Sequence, residues 1–217
     1  MTSAAIQALL VAIFFLNLFV LGTSRLRSTI TASAAQGIVA GLLAVFIHGN
    51  HLGRSFLVAG GTIAIKGVLI PGLLQRALRE TKARREVEPY IGFSTSLLLG
   101  AAATGAAILF AERLPLADEH QGMLLVPASM ATILTGFIVL TTRRKAITQV
   151  VGYLVLENGV FLTALLLHDA LPSLVEIGVL LDLLVAIFVI AIVINHVQRD
   201  FSSEGGDVAE FHRLREE

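Results

Sequence analysis

Long apolar runs, broken by short polar intervals, set the pattern of this chain. Seven can be drawn, at roughly 3–22, 29–48, 55–78, 90–111, 122–141, 146–168 and 172–197. A bilayer core of about 30 Å needs about 20 apolar residues per helix, and each run meets that length. Strands of an outer-membrane barrel would be shorter and would alternate apolar with polar positions. The pattern therefore predicts an all-α integral membrane protein with seven transmembrane helices. The polar intervals carry the topology. Intervals one, three and five, together with the C-terminal end, hold 13 of the 16 basic residues, among them Arg25, Arg27, Arg143 and Arg144. The opposite side holds Arg54 and Arg113. The positive-inside rule then puts the N-terminus outside and the C-terminus in the cytoplasm.

The sixteenth basic residue, Lys66, lies inside the third run, and it changes the picture. It stands eleven residues in, a depth of roughly 17 Å at about 1.5 Å per residue. Glu157 lies at the same depth in the sixth run, and Asp182 lies roughly 15 Å into the seventh. One base and two acids on three helices at one depth predict a polar layer parallel to the membrane. Ionisable residues at that depth are costly and mark proton relays or ion paths. The competing reading is a static buried ion pair, for example Lys66 with Asp182, although such pairs add little net stability. Glu176 sits nearer the end of its helix and reads equally as an entry point or an interfacial acid. Asn158 beside Glu157 and Asn17 in the first run suit interhelical hydrogen bonds. Gln149 extends the polar stripe along the sixth helix.

Small residues and breakers add local detail. Pro71 removes a backbone donor one turn after Lys66 and is expected to bend the third helix there. Ser96, Gly100 and Thr104 share one face of the fourth helix, as do Ala101 and Gly105. Gly152 and Gly159 share a face of the sixth. Such spacing permits close helix approach and signals packing rather than chemistry.

Composition narrows the function classes. The chain is 55% hydrophobic and only 15% charged, with a formal net charge of zero. Soluble domains carry about 25% charged residues. With no cysteine there is no disulfide framework, thiolate metal site or iron–sulfur ligation in this chain. His48, His51, His120 and His168 fall at helix ends or loops and read as interfacial rather than as metal ligands. No nucleotide-binding or nucleophile-elbow motif is present. The N-terminus lacks a basic n-region and a small-residue cleavage site, so the first run is expected to be a retained span. The polar end from Ser202 reads as a solvated terminus.

The segment RRKAITQVVGYLVLENGVFLTALLL resembles the second helix of the K-type subunit of respiratory complex I and of the C-type subunit of multi-subunit Na⁺/H⁺ antiporters. The basic pair is Arg143 and Arg144, the glycine is Gly152, and the family's Asn falls at Asn158. The family's Glu would fall at Leu154; this chain carries its acid three residues on, at Glu157. Asp182 would match the acid of the family's third helix. With IKGVLIPGLLQRAL and LPSLVEIGVLLDLLVAIFVIAI, the whole chain resembles component E of hydrogenase-4 and formate hydrogenlyase membrane arms. The resemblance implies an N-terminal four-helix membrane part (1–121), a K-like three-helix unit (122–200) and a polar cytoplasmic tail (201–217).

It also implies a non-catalytic membrane-arm subunit of a group 4 nickel–iron hydrogenase-related, complex I-like complex in a bacterial or archaeal cytoplasmic membrane. Such a subunit contributes to proton or sodium translocation through Lys66, Glu157, Asp182 and Glu176, supported by Asn158 and Gln149. It holds no cofactor; a nickel–iron centre and iron–sulfur clusters are expected in partner subunits. Its partners would be antiporter-like and connecting membrane subunits, a peripheral hydrogenase-like module and the lipid bilayer, with no nucleic acid. The alternative is a non-conducting assembly scaffold linking the antiporter-like and connecting subunits. A free-standing seven-helix transporter or retinal protein fits less well. There is no Trp, no inverted repeat, and the single intramembrane Lys lies in the third helix.

Overall fold

A computed structural model of the chain describes residues 2–47, 60–80, 89–114 and 124–167. These residues form α1 (Thr2–Gly22), α2 (Leu26–Ile47), a π-helical segment (Ile63–Leu69) that runs directly into α3 (Ile70–Glu80), α4 (Phe93–Ala111), α5 (Leu125–Thr142) and α6 (Ala146–Leu166). Among the described residues there is no β-strand, and five helices are long and apolar enough to cross a membrane: α1, α2, α4, α5 and α6. The chain is membrane-embedded. The seventh apolar run, with Glu176 and Asp182, lies outside the described residues.

The third apolar run differs from a plain span. Its described part starts at Gly60, and the winding loosens to π from Ile63 to Leu69. The Ile70 amide donates five residues back, to the Ile65 carbonyl. Pro71 has no amide hydrogen to continue an α pattern from Gly67, so α geometry is weakest at this point. The departure expected near Pro71 thus takes the form of π winding, which often accompanies functional sites. Beyond it, α3 is amphipathic. Ile70, Leu74, Ala77 and Leu78 face inward, whereas Arg76 and Arg79 are exposed.

The tightest contact joins α5 to α6. Gly136 lies directly on the backbone of Leu156. A Cβ added at Gly152 would stand 2.6 Å from the Leu140 nitrogen, and one at Gly159 would stand 2.6 Å from the Ile133 nitrogen. The close approach expected at Gly152 and Gly159 is therefore made, with backbone on the opposing side. Ser96 and Gly100 of α4 are buried, and Gly100 meets the Leu21 side chain. The rest of α4 is mostly apolar surface, with Leu98 71% and Leu109 63% exposed, as suits a lipid-facing helix.

Two apolar clusters fill the interior. One joins Val20, Leu26, Ile30, Leu74, Val139, Val151 and their neighbours. The other joins Ile6, Leu10, Leu43, Leu125, Leu162 and theirs. In α1, α2, α5 and α6 the residues between the two clusters include Asn17, Ser33, Gln36, Thr132, Glu157 and Asn158, all buried. A polar layer therefore separates two apolar ones.

Candidate functional site

The charged part of the layer lies where the π segment, α2 and α6 meet. Lys66 occupies the middle of the π segment and is 5% exposed; Glu157 of α6 is 3% exposed. Lys66 Nζ stands 3.8 Å from Glu157 Oε2 and 5.5 Å above the centre of the Phe161 ring. The aromatic face adds a second attraction for the ammonium. Gly37 of α2 makes the approach possible: a Cβ there would lie 2.8 Å from Lys66 Cβ. Gly67, next to Lys66, is similarly close to Ile38 Cγ1. Glu157 is set by α6, which the glycine contacts hold against α5.

Magnitudes bear on why such a pair exists. At 3.8 Å the attraction is about 4 kcal/mol with an effective dielectric near 20. Removing each ion from water costs several kcal/mol, so the pair is close to neutral for folding. Chemically, a carboxylate and an ammonium in an enclosed setting form a unit through which one proton can be exchanged or a neighbouring charge felt.

Neutral polar groups continue the layer from the pair. Asn158 Nδ2 donates to the Ser33 carbonyl at 3.4 Å. Gln36 Nε2 donates to Asn17 Oδ1 at 2.6 Å, Asn17 Nδ2 to Thr132 Oγ1 at 2.9 Å, and Thr132 Oγ1 to the Ala128 carbonyl at 2.7 Å. Six residues of four helices thus extend the layer from Lys66–Glu157 toward α1 and α5.

Of the residues singled out in the sequence, Lys66, Glu157 and Asn158 are brought to one place, and Pro71 closes the π segment beside them. Asn17 makes the interhelical bond expected of it. Gln149 is used elsewhere: its Nε2 donates to the Arg143 carbonyl at 3.0 Å and closes the turn between α5 and α6. Asp182 and Glu176 lie outside the described residues. Ser33, Gln36 and Thr132 escaped the sequence reading, although Gln36 stands in the middle of an apolar run as Glu157 does.

Arg143 stands in the interval between the fifth and sixth apolar runs, as expected, and is buried there, 1% exposed. Its Nη2 donates to the Leu21 carbonyl at 2.8 Å, its Nη1 to the Ile91 carbonyl at 3.4 Å, and its guanidinium lies 4.4 Å from the centre of the Phe93 ring. It thereby takes up a carbonyl left open at the end of α1, where the helix dipole favours a cation. The Tyr90 amide donates to the Thr142 carbonyl at 2.8 Å, and Arg144 lies over the Tyr90 ring. This knot ties α1, the segment before α4 and the α5–α6 turn together.

The chain is 34% identical over 195 residues to an uncharacterized protein of Mycobacterium tuberculosis, a match covering 88% of this chain and 86% of the mycobacterial one. The chain belongs to that protein's family. More distantly, this family member is 26% identical over 188 residues to hydrogenase-4 component E of Escherichia coli and of Shigella flexneri, covering 84% of this chain and 85% of theirs. No family model and no solved structure matches the chain. Each match covers more than four fifths of this chain, so the likeness is not confined to one helix.

Proposed function

We propose that the chain is a membrane-arm subunit of a group 4 nickel–iron hydrogenase-related complex. In that complex, Lys66 and Glu157 take part in proton or sodium translocation driven by redox chemistry in partner subunits. Membership of such a complex draws on the likeness to hydrogenase-4 component E over most of both chains. The ion-handling role draws on one observation: an oppositely charged pair buried between apolar clusters at 3.8 Å, on a π-helical segment. Folding gains little from such a pair, which favours a part in function. Asp182 and Glu176 belong to the same proposed relay, with Glu176 near an entrance. On this reading the chain is non-catalytic; the nickel–iron centre and iron–sulfur clusters belong to a peripheral module. Antiporter-like and connecting membrane subunits flank the chain.

The test is Glu157→Gln in the assembled complex, in sealed membrane vesicles. The amide keeps size and polarity while removing the charge. Assembly and hydrogenase turnover should persist, and the ion gradient formed per turnover should fall. An unchanged gradient would remove the relay. Loss of the assembled complex would instead make the pair a structural tie, the scaffold reading.

A further inference from the structure

We propose that the turn of α2 from Ser33 to Gly37 carries a buried water site, in which water completes the hydrogen bonding of the Gln36 and Asn158 amides. This turn is where three neighbours converge. Gly37 is packed against Lys66 Cβ, the Ser33 carbonyl accepts from Asn158, and Gln36 reaches Asn17. Residues three and four apart share one helix face, so these contacts lie within one turn of one another.

The hydrogen-bond inventory points to the ligand. Gln36 is 1% and Asn158 2% exposed. Among the described residues, Gln36 Oε1 and Asn158 Oδ1 are buried and accept no hydrogen bond. A buried acceptor left open is costly, and buried waters typically serve such groups. The chain from Gln36 through Asn17 and Thr132 runs in one direction, each donor used until the Ala128 carbonyl ends it. Turning both amides over reverses it: Asn17 would then donate to Gln36, Thr132 to Asn17, and Gln36 would present its NH₂ outward. Either arrangement leaves one group at the Gln36 end needing a partner, an acceptor in the first and a donor in the second. Water satisfies both. A metal cation satisfies only the first, so the chemistry selects water over sodium.

Neutral amides neither gain nor lose protons at ordinary pH. This arm of the layer therefore offers polar groups on the α1 side of the Lys66–Glu157 pair rather than carrying charge itself. That consequence rests on the relay reading; the water site does not.

The experiment is a cryo-electron microscopy map of the assembled complex in lipid nanodiscs, at a resolution that shows ordered water elsewhere in the membrane domain. The expected result is ordered-water density about 2.7–3.0 Å from the Gln36 amide and from the Asn158 amide. In Gln36→Leu the density at position 36 should vanish while the Asn158–Ser33 contact remains. Amides approached only by protein atoms would overturn the proposal. So would density at metal–oxygen distances that disappears when sodium is withdrawn. The wild-type map decides alone if Gln36→Leu does not assemble. Water seen in a complex whose Glu157→Gln variant still pumps would uphold the site while the relay falls.

Discussion

Gly159→Ala adds one methyl group where α6 lies against the backbone of α5. The new Cβ would stand 2.6 Å from the Ile133 nitrogen, 2.7 Å from its Cγ1 and 3.0 Å from the Ser129 carbonyl oxygen. Ordinary contact begins near 3.4 Å, so the gap must open by about 0.8 Å. Two of the three obstacles are backbone atoms of a regular helix, which cannot swing away. Relief must come from α6 moving away from α5, and α6 carries Glu157 two residues before the substitution. Overpacking of this kind costs about 1–3 kcal/mol. For a chain of this length that lowers Tm by roughly 2–12 °C. The measurement is thermal unfolding of the purified protein in detergent, beside Gly105→Ala as control. Gly105 has nothing within 4 Å of its added Cβ, so alanine there should stabilise α4 by about 0.5–1 kcal/mol. The same methyl group should thus act with opposite sign at two helical glycines. A Gly159→Ala protein as stable as Gly105→Ala would refute the claim that α5 and α6 meet backbone to backbone at Gly159.

Two further outcomes test other parts of the structure. Arg143→Ala should destabilise by about 3 kcal/mol or more, since it leaves the Leu21 and Ile91 carbonyls without their charged donor, while Arg144→Ala, at an exposed site, should stay within about 0.5 kcal/mol. Thermal unfolding separates the two neighbours, and an Arg143→Ala effect as small as that of Arg144→Ala would refute the structural role of the Arg143 guanidinium. Lys66→Met should destabilise by removing a charge that faces Glu157 at 3.8 Å, and adding Glu157→Gln should recover part of that loss. A double-mutant cycle reads this, and strictly additive costs would show that the two side chains do not interact.

Five of the seven expected spans were legible because bilayer thickness imposes a length that composition alone reveals. Counting residues into each run was enough to put Lys66 and Glu157 at one depth, and the structure brings them within 3.8 Å. Small-residue spacing at Gly152 and Gly159 was legible for a similar reason, since steric bulk is a property of each residue type. Arg143 was not, because a basic residue beyond a helix end usually reaches water, and only the fold shows two backbone carbonyls and an aromatic ring around it. Gln36 and Thr132 carry no charge, so their burial costs less and they stand out less in an apolar run. Pro71 signalled a departure from α geometry, but whether that departure becomes a kink or a π segment depends on packing against Gly37 and Ile38.

The position of the polar layer has an electrical consequence. Gln36, Thr132 and Glu157 stand close to the midpoints of α2, α5 and α6. A charge shifted sideways along that level stays at one electrical depth and crosses none of the transmembrane voltage. A charge arriving from either aqueous face crosses about half of it, roughly 1.2 kcal/mol per elementary charge at 100 mV. On the proposed relay, membrane potential would act on loading and unloading of the Lys66–Glu157 pair and would leave any transfer at that level nearly untouched. Any voltage dependence of the intact complex should accordingly reside in the access steps.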